Sequence, residues 1–274
     1  MTFLIRGLCI FRRSVGVWRQ GLTPPGKPDA QVDNRACSPE GVGMVRADAP
    51  SRAGSPQIIH SEPAKLSPHP VPMTAPAPPL ILASASPIRA ELLRRAGLAP
   101  EILPARIDEA AIRTALQAEA APPRDIADAL AEAKARKLSQ RRPGALVLGC
   151  DQLLVLGDQI LSKPADRAEA EAQLRRLRGQ THSLLSAAVL ALDGQAIWRH
   201  VGEARLTMRA FSDAYLAGYL SRNWPAVADS VGGYKLEEEG VRLFARIEGS
   251  HFTVLGLPLM ELLAVLTRRG DIEG

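Results

Sequence analysis

Three short segments of this 274-residue chain place ionisable side chains where an apolar run ends or the chain turns. In ASASPIRAELL (residues 83–93), small residues close an apolar run, Ser86-Pro87 opens a helix, and Arg89 falls in its first turn. Such a junction offers free backbone N–H groups and the positive end of a helix dipole to a phosphate, and an arginine there can fork onto phosphate oxygens. An ordinary capped helix with a solvated arginine carries the same signals. In LGCDQLLVL (residues 148–156), Asp151 ends one strand-like run and precedes another. A carboxylate so placed is costly unless it is paired or binds a metal, although an acidic turn residue reads alike. In ILSKPADRAEAE (residues 160–171), Lys163 precedes a proline turn and a capped helix, a rigid setting for a long cation. A surface lysine is the plainer alternative.

Several other chemistries are excluded. The chain has no G-x-x-x-x-G-K-[ST], no G-x-G-x-x-G and no G-x-S-x-G segment. Its five histidines are scattered without metal-ligand spacing, and Cys150 reads as a small core residue. Nucleotide chemistry here must use carboxylates, lysines and arginines with an oxygen-preferring divalent metal.

The elements that must position these residues alternate in type. LILA (residues 80–83) reads as a buried strand, followed by a helix that stops at Gly97 and a short strand near residues 101–104. Pro122-Pro123 introduces a second helix over residues 124–141. ALVLGCD (145–151) and LLVL (153–156) read as two strands, with Gly157-Asp158 turning into residues 159–161. Asp166 and Glu169 form a capping box for a third helix that Gly179 closes. Residues 181–192 and 195–200 read as a hairpin about Asp193-Gly194, and residues 203–209 as a continuing strand. Ser212 caps a helix to about Arg222. Residues 242–247 and 252–254 are apolar and β-branched, as strands are, and Pro258 starts a last helix carrying Leu259, Leu262, Leu263 and Leu266. The pattern predicts an α/β fold with a mixed twisted sheet and flanking helices.

Proline divides the chain: 13 of the 22 fall in residues 1–79, which also lack any sustained periodicity. A stretch so interrupted cannot bury enough apolar surface to offset its chain entropy, so residues 1–79 are expected to be a disordered tail and residues 80–274 one domain. The net charge of +5 divides the same way, +4 in the tail and +1 in the domain, which removes most of the case for a nucleic-acid partner and leaves none for the domain. The first residues, rich in arginine and free of acids before Asp29, match an organelle transit peptide in composition. A linker, or a true start at Met44 or Met73, is the plainer reading. A chain starting at Met73 should then match the full chain in melting temperature and turnover; a loss of several degrees would show that the tail packs on the domain. Cys150 is the domain's single thiol, which excludes an internal disulfide, and no apolar run approaches the ~18 residues of a membrane span. A cytoplasmic protein is expected.

Taken together, LILASASPIRAELL, IDE (107–109), ALAEAKARK (129–137), GCDQ (149–152), LSKPADRAEA (161–170), LRRLRGQTH (174–182) and IEGSHFTVLGLPL (247–259) resemble, in order and spacing, the Maf family of nucleoside triphosphate pyrophosphatases. The resemblance covers residues 80–268. It implies two lobes around a deep cleft, a homodimer, and hydrolysis between the α and β phosphates with a divalent metal such as magnesium, manganese or cobalt. By position it implies that Asp151 activates water and, with Glu109, binds the metal. Arg89, Lys134 and Lys163 would handle phosphate, and Ser84 and Ser86 would form the phosphate-facing turn.

Three positions bear on the base. Ile88 stands where many members have a second arginine. Gln152 follows Asp151 where members acting on dTTP and UTP usually have threonine, and GGYKLEEEG (232–240) places Glu237 nearest their glutamine. Gln152 with a glutamate resembles the subgroup preferring 7-methyl-GTP, whose cationic base and N1–H suit a carboxylate; a solvated acidic loop is the alternative for residues 237–239. The remaining alternatives are a dTTP- and UTP-preferring enzyme, and a nucleotide-binding regulator of cell division without turnover, since the family is linked to septum formation.

Overall fold

Each long strand of this protein serves more than one packing region, and the strand that carries Asp151 runs between them. The computed structural model describes residues 77–273, so the expected tail lies outside the described residues apart from its last three positions. The strands are β1 (Leu80–Leu82), β2 (Glu101–Ile102), β3 (Leu146–Leu156), β4 (Gln159–Leu161), β5 (Thr181–Leu192), β6 (Gln195–Met208) and β7 (Phe244–Glu248). The helices are α1 (Pro87–Arg95), α2 (Glu109–Ala118), α3 (Pro123–Ser139), α4 (Arg167–Leu177), α5 (Asp213–Asn223), α6 (His251–Val254) and α7 (Leu259–Arg269). The sheet order is β2-β1-β3-β5-β6-β7, with β4 hairpinned onto the end of β3. β1 pairs parallel to β2 and β3, and every other pairing is antiparallel, which makes the predicted mixed sheet.

Alternation along β3 sets the two faces of the sheet. Leu146, Leu148 and Cys150 point to a cluster with α1 and α7, while Val147 and Leu153 face the α3 side. Leu154 enters a separate cluster built on α4, α5 and the 227–236 loop. These clusters form the two lobes. On α7, Leu259, Leu262 and Leu266 are buried at the spacing read from the sequence, each worth roughly 2 kcal/mol of apolar burial. Among the described residues no helix is long and apolar enough to cross a membrane.

Four sequence expectations need correction. The two runs around Asp151 are one strand, β3, with Asp151 opposite Ala187 in mid-ladder instead of at a strand end. Residues 195–208 are likewise one strand: Gly202 does not break it, because Thr253 fills the space of its missing side chain. Phe252–Val254 belong to the short helix α6, not a strand. The Thr253 side chain packs into that gap, and the carbonyls of Thr253 and Val254 accept hydrogen bonds from Gln152 and Ser186. Helix α2 is absent from the sequence reading; Asp108 caps it by accepting from the Ala111 N–H, and none of its residues is fully buried.

Candidate active site

A cleft of about 920 Å³ opens between the lobes, and all ten residues singled out in the sequence line it. Its floor is β3. One wall is the β1–α1 junction with α2 and α3, and the opposite wall combines the loop after β4 with residues 229–238.

The centre of the site follows from a glycine. A Cβ at Gly149 would lie 2.1 Å from the Ala131 carbonyl oxygen and 2.7 Å from the Ala135 nitrogen, so only glycine lets α3 rest this closely on β3. Lys134 lies between those two contacts and Asp151 two residues beyond Gly149 on the same strand face, so the close approach brings them together. Lys134 Nζ donates to Asp151 Oδ1 at 2.7 Å and lies 2.9 Å from Glu109 Oε1. A third acceptor, the Cys150 carbonyl, is 3.4 Å away. Glu109 is the first residue of α2, where a carboxylate also meets the positive helix end. Asp151 is 5% exposed, and its Oδ2 is buried with no hydrogen-bond partner among the described residues. Burial raises the Asp151 pKa above the ordinary carboxylate range despite the pull of Lys134 and Arg89. The neighbouring Cys150 thiol is pushed up to about 11 by burial, which leaves it a core thiol.

The turn expected to face phosphate is built less openly than its sequence suggests. Ser86 occupies the N-cap of α1, yet its side chain caps nothing; its own N–H donates to Ser84 Oγ at 3.3 Å. Arg89 Nε donates to the Gly256 carbonyl at 2.8 Å, and Nη1 donates to Ser84 Oγ and the Cys150 carbonyl. Arg89 therefore ties α1 to β3 and the 256 turn. Ile88 is half-buried against the α1–α7 cluster at the cleft edge. Lys163, by contrast, is exposed in the cleft and makes no ion pair among the described residues.

Among the residues expected to read the base, the Gln152 amide nitrogen is fully engaged, donating towards Ser186 Oγ, the Thr253 carbonyl and the Val254 carbonyl at 3.0–3.2 Å. Only Gln152 Oε1 is left to read a ligand. The three glutamates divide. Glu239 is held by Arg222 at 2.6 Å and by Asn223, which lowers its pKa to about 2, and Glu238 pairs with Lys235 at 3.6 Å. Glu237 is exposed in the cleft with no ion-pair partner among the described residues. It is not part of a uniformly solvated acidic loop.

The sequence reading passed over Arg113, Ser162, Tyr234 and Lys235, all of which line the cleft. For Arg113 a signal existed, its spacing one helical turn after Glu109. The GQTH segment also gains a structural role. His182 is 2% exposed, and its Nε2 shares a 2.7 Å hydrogen bond with the Tyr234 hydroxyl, pinning the 229–238 wall to β5. Burial lowers the His182 pKa from 6.5 to about 4. The unfolded chain thus takes up a proton first as pH falls, so the domain should lose roughly 3 kcal/mol between pH 6.5 and pH 4. Urea melts at both pH values check this, and His182→Gln should flatten that part of the pH dependence.

Comparison with known proteins agrees with the geometry. The chain is 58% identical to "Nucleoside triphosphate pyrophosphatase" of Ruegeria pomeroyi over 195 residues, 71% of this chain and 98% of that protein. It is 59% identical to a protein of the same name from Roseobacter denitrificans, over 71% of this chain and 98% of the relative. It is 50% identical to "7-methyl-GTP pyrophosphatase" of Mesorhizobium japonicum, with the same two coverages. A family model described as Maf-like protein matches residues 79–269, and the chain belongs to the Maf family.

Proposed function

We infer that the chain is a nucleoside triphosphate pyrophosphatase, releasing nucleoside monophosphate and pyrophosphate. One observation carries this reading: a buried carboxylate in the cleft floor, Asp151, has one oxygen held by Lys134 and the other unpartnered. A binding pocket alone has no use for that arrangement, because an orphaned buried carboxylate oxygen costs stability. It suits a base. Water attacks the α-phosphorus, its proton passes to Asp151 Oδ2, the bond to the α–β bridging oxygen breaks, and pyrophosphate leaves. Lys134 keeps Asp151 Oδ1 in place, so the proton is received at Oδ2. The cleft cations neutralise charge on the departing pyrophosphate.

A divalent cation fits this donor set in a limited way. Glu109 and, in place of its role as base, Asp151 Oδ2 could supply hard oxygens, but no group of three or more His, Cys, Asp or Glu among the described residues could hold an ion. That suits an ion of the magnesium type, which keeps waters and takes phosphate oxygens along with one or two carboxylates. When bound it would offset phosphate charge and acidify the attacking water.

The names of the relatives support both a general nucleotide specificity and one for 7-methyl-GTP. The unpaired Glu237 carboxylate at the cleft favours the cationic base. Purified protein should be assayed against 7-methyl-GTP, GTP, dTTP and UTP with magnesium, manganese or cobalt, scoring pyrophosphate and monophosphate together. Release of diphosphate and inorganic phosphate would sink the reading. Tight binding with no release would make the chain a nucleotide-binding regulator instead.

A further inference from the structure

We propose that Arg113, with Lys163 beside its anchor, forms a subsite that takes the terminal phosphates of the substrate and holds the leaving pyrophosphate. The inference rests on the pyrophosphatase reading and assigns its far end. Glu109 and Arg113 lie one turn apart on α2, and both line the cleft. Glu109 turns to Lys134, whereas Arg113 crosses to the opposite wall, where Nη1 donates to Ser162 Oγ at 2.9 Å. Ser162 directly precedes Lys163, and its carbonyl accepts from the buried Gln173 side chain at 3.1 Å, so the anchor is rigid.

The cations of the cleft are not equally available. Lys134 is held by two carboxylates, Arg89 by two carbonyls and a hydroxyl, and Lys235 by Glu238. Arg113 and Lys163 make no ion pair among the described residues. Moreover, Arg113 Nε is buried with no hydrogen-bond partner among the described residues. A guanidinium N–H shielded from water and left without an acceptor is costly, and two uncompensated cations lining one cleft repel. An anion with several oxygens relieves both, and a guanidinium fork matches phosphate oxygens better than an ammonium does. The plainer role for Arg113 is a tie between α2 and the loop after β4.

Calorimetry on the full chain separates the two. Pyrophosphate, inorganic phosphate and nucleoside monophosphate are titrated into wild type, Arg113→Ala, Arg113→Lys and Ser162→Ala, with melting curves as the folding check. Loss of a charged hydrogen bond should weaken pyrophosphate binding about tenfold or more in Arg113→Ala, with monophosphate binding within about twofold. Arg113→Lys should recover part of the loss. Ser162→Ala cuts the tie but keeps both cations, so it should cost pyrophosphate no more than about threefold. A tie alone predicts that Ser162→Ala matches Arg113→Ala, and that result overturns the subsite. So does an equal loss for pyrophosphate and monophosphate, or no loss at all. These readouts need no turnover. A wild type that binds pyrophosphate through Arg113 yet hydrolyses no nucleoside triphosphate would sink the hydrolase reading and leave the subsite standing.

Discussion

Asp151→Asn should lower turnover on every accepted nucleoside triphosphate by roughly two to four orders of magnitude, the range of a lost general base. Nucleotide binding should survive. The side chain sits under the cleft in mid-strand, and the amide keeps its shape; Asn Oδ1 can still accept from Lys134, which also keeps Glu109. Stability should change little. Burial raises the Asp151 pKa, so the amide removes the cost of burying a charge there, which offsets the weaker bond to Lys134. Pyrophosphate release, nucleotide calorimetry and melting temperature together check the prediction. Near-native rates in Asp151→Asn would move the base assignment to Glu109, the next carboxylate on Lys134.

How much of this was legible beforehand differs between elements for physical reasons. Local signals with a defined mechanism read correctly. Asp166 accepts from the Glu169 N–H while Glu169 reaches back to the Ala165 N–H, and Ser212 Oγ accepts from the Tyr215 N–H. The Asp193-Gly194 turn takes positive φ at both residues, as a tight hairpin requires. What misled was tertiary. Asp151 looked like a strand end because a charge interrupts apolar residues, yet the strand continues, since Lys134 is delivered from α3 by a contact 15 residues away at Gly149. Phe252–Val254 have β-branched content but fold as a helical turn, because the gap over Gly202 and the donors of Gln152 and Ser186 decide it. Helix α2 was missed because its apolar face is half-exposed, with only partly buried Ile112 and Leu116 to mark a period. At the site, the residue types singled out fall on one cleft, but side-chain commitment was invisible. Arg89 and Gln152 are largely engaged within the fold, while Glu237 and Arg113 are the more available groups.

Glu237→Gln should cost about one to two orders of magnitude in kcat/KM on 7-methyl-GTP, because a lost charged hydrogen bond is worth roughly 1.5–3 kcal/mol. The effect depends on a carboxylate held in place without a partner of its own. Both flanks of the segment are fixed: His182 holds Tyr234 on one side, and Arg222 and Asn223 hold Glu239 on the other. Glu237 lies between them in the cleft, free to accept from a guanine edge and to offset the charge of a methylated base. Gln152 cannot supply that recognition through its amide nitrogen, which is spent on Ser186 and α6, so the burden falls on Glu237. Glutamine preserves size and one acceptor but removes the charge. Rates on dTTP, measured with the same metal and pH, should change much less, since thymine carries no positive charge and a different hydrogen-bonding edge. Equal losses on both substrates would mean that Glu237 shapes the loop instead of reading the base. A wild-type preference for dTTP over 7-methyl-GTP would overturn the base assignment and leave Asp151 and the pyrophosphatase reading untouched.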